Sequence, residues 1–306
     1  MSSKDPQHSK RPANTAFKQQ RLKAWEPILT PAPVIISFII IGVIFIPIGA
    51  VMINASNSVI EHTVRYDDLC GKEPNCTTTI EVPKTMQAPV YFYYRLENFY
   101  QNHRSYVKSR NDNQLRGEIV SAYKDLQDCE PFKSLDDSHD PQNFYLPCGL
   151  IARSMFNDTF VLKQGTPIPL KKEGIAWTSD KEKKFKNPPA NAVGIRIIPD
   201  FEDEDFIVWM RTAGLPDFKK LYRIIEQDLQ GTYTVDIQNN YNVSSFSGKK
   251  YIVLSTTSWI GGKNPFLGYA YIIVGIICFV QGIVFLVKHK VSPRKLGDTK
   301  YLEWNK

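Results

Sequence analysis

Two long apolar runs constrain this chain more than any other feature. Residues 34–53 and residues 266–287 form runs of 20 and 22 residues without a charged side chain. A helix needs about 20 apolar residues to cross the roughly 30 Å hydrocarbon core of a bilayer. The sequence therefore predicts an integral membrane protein with two transmembrane helices, and it excludes a soluble, disordered or collagen-like chain.

The first run does not have the form of a cleaved signal peptide. It follows a polar head of 33 residues, it lacks a small-x-small cleavage site, and it is longer than the usual apolar core of about 7–15 residues. We therefore expect the run to remain in the mature protein.

The charges predict the topology. Residues 1–33 and residues 288–306 each contain six Lys or Arg and two acidic residues, so the two tails together carry a charge of +8. The remaining residues carry −1, which gives the formal net charge of +7. Basic residues next to membrane helices favour the cytosolic side. We expect cytosolic tails at 1–33 and 288–306, transmembrane helices at 34–53 and 266–287, and a lumenal or extracellular ectodomain at 54–265. Because the positive charge lies in the tails, it does not indicate a nucleic-acid partner.

Four of the five cysteines lie in the predicted ectodomain, and the fifth, Cys278, lies in the second apolar run. An even number of cysteines in an oxidising compartment predicts disulfide bonds. Four cysteines allow three pairings, of which proximity in the sequence favours Cys70 with Cys76 and Cys129 with Cys148. Zinc is disfavoured because the spacings lack a CxxC pair, so we predict no metal site.

Four N-glycosylation sequons also lie between the apolar runs. Asn157 and Asn242 are the preferred acceptors, Asn75 adjoins a predicted bridge, and Asn54 lies too close to the membrane. None lies in a tail, which agrees with the predicted topology.

The ectodomain is predicted to be β-rich, an antiparallel sheet or sandwich with few short helices. Strands are expected at 90–96, 206–210, 231–237 and 250–257, where β-branched and aromatic residues concentrate. A short helix is expected within 98–109. The best soluble helix is predicted to begin at Pro216 and to end before Gly231, because Phe218, Leu221, Tyr222, Ile225 and Leu229 have helical spacing. No regular structure is predicted for 128–150 and 163–205.

Motifs for catalysis are missing from the sequence. It contains no GxSxG elbow, HExxH helix, Walker loop or dinucleotide fingerprint. Gly261-Gly262-Lys263 is interpreted as a turn. The acidic run at 200–205 has the oxygen ligands that calcium prefers but lacks the EF-hand pattern, so a solvated surface or a surface for a basic partner is favoured. We predict no catalytic residues and no cofactor.

Glycines recur every seven residues in both apolar runs. Because seven residues make nearly two helical turns, each set forms one stripe on which another helix can pack closely. The stripes could pack on each other or on a third protein. They consist of Gly42, Gly49, Gly268, Gly275 and Gly282.

Six long segments occur in order along the chain: NTAFKQQRLKAWEPILTP, FIPIGAV, YYRLENFYQNHRSYVKSR, PCGLIARSMFNDTF, DFIVWMRTAGLPDFKKLY and SFSGKKYIVLSTTSWIGGKNPFLGYAY. They resemble the Cdc-fifty/Lem-three family, the β subunits of type IV P-type ATPases, which are phospholipid flippases. The resemblance runs from about Asn14 to Trp304.

The resemblance implies a non-catalytic subunit that forms a heterodimer with an ATPase α subunit. Such subunits escort the α subunit out of the endoplasmic reticulum and support its activity, while the α subunit moves aminophospholipids to the cytosolic leaflet. The complex is expected in the Golgi, endosomes or plasma membrane, with membrane lipids as further partners. The family's two bridges match Cys70 with Cys76 and Cys129 with Cys148, and its glycosylated FNDT asparagine matches Asn157. Some relatives have an extra cysteine pair between the first two cysteines, which this chain lacks.

Two other protein classes share this topology. A two-span ligand-gated channel subunit also has both tails in the cytosol, although it usually has more disulfides than two. A membrane-anchored lumenal hydrolase would need a nucleophile and a base that the sequence does not show.

Overall fold

The computed structural model describes residues 11–24 and 30–293. The chain divides into two compact units, one of residues 1–51 with 267–306 and one of residues 52–266. Half of the twelve basic tail residues lie outside the described residues, namely Lys4, Lys10, Arg294, Lys295, Lys300 and Lys306.

Two helices, α1 (Pro31–Asn57) and α8 (Phe266–Val291), contain the apolar runs. Both are long and apolar enough to cross a membrane, so the protein is a membrane protein. Each helix extends beyond its run. Helix α1 begins at Pro31, where a proline suits the first helical turn because its missing N–H has no partner there in any case.

In the ectodomain unit, residues 61–255 form two four-stranded antiparallel sheets. The strands of this unit are β1 (Glu61–Arg65), β2 (Asn75–Met86), β3 (Val90–Glu97), β4 (Tyr145–Leu146), β5 (Thr159–Gln164), β6 (Thr166–Pro167), β7 (Ile195–Arg196), β8 (Phe218–Ile225), β9 (Leu229–Gln238) and β10 (Lys249–Ser255). The strand orders of the two sheets are β1-β10-β3-β8 and β2-β9-β5-β6. Strands β4 and β7 form a separate parallel pair.

The inward faces of the two sheets share one hydrophobic core. Strand β3 shows the expected alternation, with Val90, Phe92, Tyr94 and Leu96 buried. Phe92 of the first sheet meets Phe160 of the second with ring centroids 5.5 Å apart. The β-rich sandwich predicted from the sequence is confirmed, as are the strands predicted at 90–96, 231–237 and 250–257.

The connections between strands contain short helices. They are α2 (Asp67–Cys70), α3 (Arg104–Lys108), α4 (Asp112–Leu115), α5 (Leu150–Arg153), α6 (Thr178–Lys183) and α7 (Glu204–Met210), with 3-10 turns at Tyr123–Cys129, Leu135–Asp137, Pro141–Asn143 and Ser244–Phe246. The short helix predicted within 98–109 is present as α3, which covers only Arg104–Lys108 of that segment. The segments 128–150 and 163–205, expected to be irregular, contain several of these short elements.

The helix predicted from Pro216 to Gly231 is wrong. Residues 218–225 form strand β8, which pairs with β3, and a three-residue turn leads to β9. The register shifts between Phe92 and Tyr93 of β3, where β8 contains a bulge. A bulge changes which side chains point inward, so Phe218, Tyr222 and Ile225 are all buried at a spacing that imitates a helix.

The strand predicted at 206–210 is also wrong, since these residues form α7. The Asp203 carboxylate caps this helix by accepting a hydrogen bond from the Asp205 amide at 3.0 Å. Phe206, Ile207, Trp209 and Met210 are all buried. A helix buried on most sides has no polar face, and a short apolar run does not distinguish such a helix from a buried strand.

Candidate functional sites in the helix pair and the ectodomain

Helices α1 and α8 approach each other along their glycines. A Cβ atom placed on Gly42 would lie 2.9 Å from the carbonyl oxygen of Gly275, and one on Gly49 would lie 2.7 Å from that of Gly268. A backbone carbonyl does not move aside as a side chain does, so neither position accommodates a methyl group without a shift of the helix. The absent side chains permit this close approach, as in other small-residue membrane contacts.

On α8, the nearest neighbours of Gly275 and Gly282 are side-chain atoms. The nearest atom to a Cβ on Gly275 would be Ile46 Cγ1 at 2.9 Å, and for Gly282 it would be Ile39 Cγ1 at 2.8 Å. In the structure the two stripes therefore pack on each other. Another protein that contacts this helix pair would meet its other faces, which expose β-branched side chains such as Ile273.

Two aromatic pairs also join α1 and α8. Phe38 and Phe285 meet edge to face with centroids 5.7 Å apart, and Phe45 meets Tyr271 at 5.0 Å. These pairs could not be predicted from the sequence, because a contact between helices distant in sequence leaves no local pattern.

Two disulfides join the predicted ectodomain cysteines. Cys70 at the end of α2 is bonded to Cys76 in β2, with Cα atoms 5.4 Å apart. Cys129 is bonded to Cys148 with Cα atoms 5.6 Å apart. The second bridge forms its own small core with Leu126 and Phe144. It therefore supplies packing where the long connection is remote from the main core.

A buried charge network lies between the two sheets. The Lys250 ammonium donates to Asp158 Oδ2 at 2.6 Å, and the Tyr66 hydroxyl donates to the same oxygen at 2.7 Å. Asp158 and Lys250 are only 2% and 1% exposed. Burial lowers the pKa of Lys250, whereas Asp158 favours its charged form. Burial and the Asp158 charge also raise the pKa of Tyr66 well above its usual value.

The network also holds the loop that follows β9. Asp158 Oδ1 accepts hydrogen bonds from the backbone amides of Asn240 and Tyr241, both at 2.6 Å. Lys250 donates in addition to the Tyr241 carbonyl at 2.7 Å. This site was not predicted from the sequence although a signal existed. Asp158 is two residues from both Phe156 and Phe160, so in an extended chain it shares their inward face.

Three predicted glycosylation sites lie near one end of the second sheet. Asn75 and Thr159 pair with the same residue of β9, Gln238, from opposite sides. Asn157, next to this end, accepts a hydrogen bond at its carbonyl from Asn240 at 3.1 Å. The side chains of Asn75, Asn157 and Asn242 are exposed. Glycans on them would cover one end of the sandwich.

Asp203, Glu204 and Asp205 of the acidic run form ion pairs within the ectodomain, which corrects the interpretation of this part of the run as a solvated or partner-binding surface. Asp200 and Glu202 are exposed, as expected for a solvated surface. Glu204, 6% exposed, accepts from the amides of Gly174 and Ala176 at 2.8 and 3.0 Å and from Lys181 at 2.7 Å. Although burial acts to raise it, these donors hold the pKa of Glu204 below its usual value. Asp205 forms a bidentate salt bridge with Arg223.

Lys220 is a second buried lysine, without a carboxylate partner. Its ammonium donates to the carbonyls of Val208, Trp209 and Arg211 at the end of α7, at 2.9, 2.9 and 2.5 Å. Burial, with a smaller contribution from Arg211, lowers the pKa of Lys220 to about 7. The side chain ends α7 by occupying carbonyls that the helix leaves unbonded.

An exposed aromatic side chain lies beside a groove at the end of α7. Trp177 is 62% exposed, and the Arg211 guanidinium stacks on its ring at 3.3 Å from the centroid. Arg211 also lines a groove of about 310 Å³ whose apolar residues include Phe185 and Met210. Trp and Arg are the residue types that dominate binding at protein interfaces.

Within residues 11–24 and 30–293, no three His, Cys, Asp or Glu side chains are placed to hold a metal ion.

The profile of the family described as LEM3 (ligand-effect modulator 3) family / CDC50 family matches residues 51–295. The chain belongs to this family. The resemblance to the Cdc-fifty/Lem-three family is thereby confirmed.

Relatives within the LEM3/CDC50 family span almost the full chain. ALA-interacting subunit 3 of Arabidopsis thaliana is 47% identical over 328 residues, covering 98% of this chain and 92% of the relative. Cell cycle control protein 50A of Bos taurus is 46% identical, with coverage of 92% and 90%. Phospholipid-transporting ATPase accessory subunit CRF1 of Saccharomyces cerevisiae is 34% identical, with coverage of 99% and 91%.

The names of the Arabidopsis and yeast relatives describe an interacting subunit and an accessory subunit. Nothing in the comparisons supports the channel alternative.

Proposed function

We propose that this protein is the non-catalytic β subunit of a phospholipid flippase and forms a heterodimer with a type IV P-type ATPase α subunit. In this role it supports exit of the α subunit from the endoplasmic reticulum, its stability and its lipid transport to the cytosolic leaflet. The ATP site lies on the α subunit.

The relationship to CRF1 carries this proposal. That yeast protein is named a phospholipid-transporting ATPase accessory subunit, and the alignment covers 99% of the present chain. The correspondence includes both long helices and the whole ectodomain, so the parts that would contact a partner are all present.

The helix pair supports a docking role. The apolar runs contain no charged side chain, whereas ion and substrate pathways through membranes are usually marked by ionisable residues. Gly42, Gly49, Gly268, Gly275 and Gly282 would serve docking indirectly, by holding α1 and α8 at the spacing that the α subunit meets.

The topology proposed for the complex places both tails in the cytosol and the ectodomain in the lumen or outside the cell. Asn157, Asn242 and Asn75 would then carry N-glycans, and the complex would pass from the endoplasmic reticulum to the Golgi, endosomes or plasma membrane. The oxidising lumen suits the two disulfides.

The ectodomain offers Trp177 and Arg211 as a contact for the lumenal loops of the α subunit. Both side chains are accessible and held in a stack, so little side-chain entropy would be lost on binding. The apolar lining of the adjacent groove would extend this contact.

Gentle-detergent purification of the tagged chain from native membranes tests the proposal. We expect a P-type ATPase at near-equal stoichiometry by mass spectrometry, with lipid-stimulated ATPase activity that falls when the chain is depleted. Recovery of the folded chain only as a homo-oligomer would refute a heterodimeric β subunit. Replacement of Trp177 by Ala should reduce recovery of the ATPase without unfolding the ectodomain, and Trp259→Ala, which changes another exposed tryptophan, is the control.

A further inference from the structure

A groove of about 280 Å³ lies between α1 and α8, at the ends of the two helices nearest the chain termini. Its apolar lining includes Val34, Ile35 and Phe285. Phe285 in turn packs edge to face on Phe38, one turn further along α1. The groove is therefore a recess between two packed helices, which the Phe38–Phe285 contact limits on the inner side.

The outer part of the groove has a different chemistry. Lys288 and His289 line it together with the hydroxyl-bearing residues Thr30 and Ser292. In the part of the chain that the structure describes, none of these four side chains has a hydrogen bond or ion pair, and no acidic residue lines the groove. Donors for an anion are thus available beside an apolar surface.

The position of these donors matches the boundary of a bilayer. The apolar run of α8 ends at Val287, and Lys288 and His289 follow it directly. Lysine at such a boundary lies near the phosphates of the lipid headgroups. Basic pockets between membrane helices are a recognised means of binding anionic headgroups.

We propose that this groove binds one phospholipid of net negative headgroup charge, with its phosphate on Lys288 and His289 and the start of an acyl chain on Val34, Ile35 and Phe285. The groove is near the lower bound of about 300 Å³ for small-molecule sites. It therefore holds the headgroup and the adjoining chain segment, while the rest of the lipid remains in the bilayer.

The lipid site depends on the groove alone, whereas its assignment to the cytosolic leaflet rests on the proposed function and its topology. In that topology the groove faces the leaflet that receives the transported lipid. Its occupancy would then follow the anionic lipid content of that leaflet.

Photo-crosslinking of the full-length chain in phosphatidylcholine nanodiscs tests this proposal. The probes are phosphatidylserine and phosphatidic acid with a photoactivatable acyl chain, and photoactivatable phosphatidylcholine is the neutral comparison. We expect both anionic probes to label α1 and α8 beside the groove, more strongly than the neutral probe. Inorganic phosphate should compete weakly, because a free anion lacks the acyl chain that contacts the apolar lining.

The chain offers a closely matched control. Lys288→Gln and Lys290→Gln remove the same charge from the same helical turn, but only Lys288 lines the groove. We expect Lys288→Gln to reduce labelling about fivefold, as for one basic contact at a membrane surface, and Lys288→Gln/His289→Gln to reduce it further. Val34→Trp should fill the groove and reduce labelling without changing any charge. Glycosylation of Asn157 verifies that each variant keeps its topology.

Three results would overturn the lipid site. Equal losses in the Lys288 and Lys290 variants would show general surface attraction, and equal labelling by neutral and anionic probes would show only surrounding lipid. Full competition by inorganic phosphate would indicate a free-anion site. Because the assay contains no ATPase, its failure would leave the proposed β-subunit function untouched, and loss of ATPase co-purification would leave the lipid result untouched.

Discussion

The helix pair and the ectodomain achieve specific packing by opposite means. Helices α1 and α8 approach where side chains are absent, at Gly42 and Gly49. The ectodomain instead buries two complete charged side chains, Lys250 and Asp158, between its sheets. In lipid, burial of apolar surface does not drive helices together, so shape determines their contact. In an aqueous compartment the hydrophobic core supplies the driving force, and buried polar groups must then all find partners.

This difference predicts how each region responds to substitution. The helix pair should be most sensitive to added atoms, because its glycines face backbone carbonyls. The ectodomain should be most sensitive to removed partners, because each leaves a buried charge or donor unpaired.

The largest effect is expected from Asp158→Asn, which leaves Lys250 buried without its counter-charge. Breaking a buried pair in this way costs about 3–5 kcal/mol. Urea unfolding of the full-length chain, followed by ectodomain fluorescence, should show this loss, while the Asn157 sequon stays intact. The double variant Asp158→Asn/Lys250→Met should lose less than the two single variants together. A loss below about 1 kcal/mol for Asp158→Asn would contradict a tightly coupled pair.

Removal of the longer disulfide is expected next in size. Cys129 and Cys148 are 19 residues apart, and closure of a loop of that length stabilises a fold by about 3 kcal/mol. Replacing both by Ser should lower the free energy of unfolding by that amount. The matched variant Cys70→Ser/Cys76→Ser, with a separation of 6, should lose less. A larger loss for the shorter bridge would show that loop length is not the cause.

Added atoms in the helix pair should have a smaller but position-dependent effect. Gly49→Ala places a methyl group against the Gly268 carbonyl, so it should weaken helix contact by about 1–3 kcal/mol. Gly282→Ala should have less effect, because its nearest neighbour is the movable Ile39 side chain. Disulfide crosslinking between Phe38→Cys and Phe285→Cys measures the contact. If both alanines reduced crosslinking equally, close backbone approach would not explain the packing.

The smallest effect concerns acid stability. The pKa of Glu204 is lowered in the folded state, so its stabilisation is complete above the unfolded value of 4.5 and is lost as pH falls through the lower folded value. Glu204→Gln should lose about 1 kcal/mol at neutral pH. Its stability should also decline less below pH 4.5 than that of the unmodified protein. Thermal unfolding across this pH range measures both.

Exposed Glu202 supplies the control for this prediction. Glu202→Gln changes the same charge two residues away and should alter stability by less than about 0.5 kcal/mol. Equal acid sensitivity in the Glu204→Gln variant and the unmodified protein would exclude Glu204 as the source.

The sequence predicted a β-rich sandwich but misassigned elements where tertiary contacts changed the pattern. In β8 the bulge shifts the inward positions. The inward side chain of Lys220 also hides the strand alternation, because lysine breaks a pattern of apolar residues. In α7 burial on most sides removed the polar face by which a helix is normally recognised. The sequence predicts a solvated acidic run because the basic partners of Asp203, Glu204 and Asp205 lie elsewhere in the chain. These partners are Lys172, Lys181 and Arg223.

Composition and local order by themselves determined the two membrane helices, the β-rich domain between them and the family, because apolar run length, strand alternation and long motifs are properties of neighbouring residues. Only the tertiary structure decided that the glycine stripes pack on each other, that Asp158 meets Lys250, and that Lys288 and His289 border a groove. These contacts join residues distant in sequence. Their energies depend on close approach and exclusion of water, which no local pattern records.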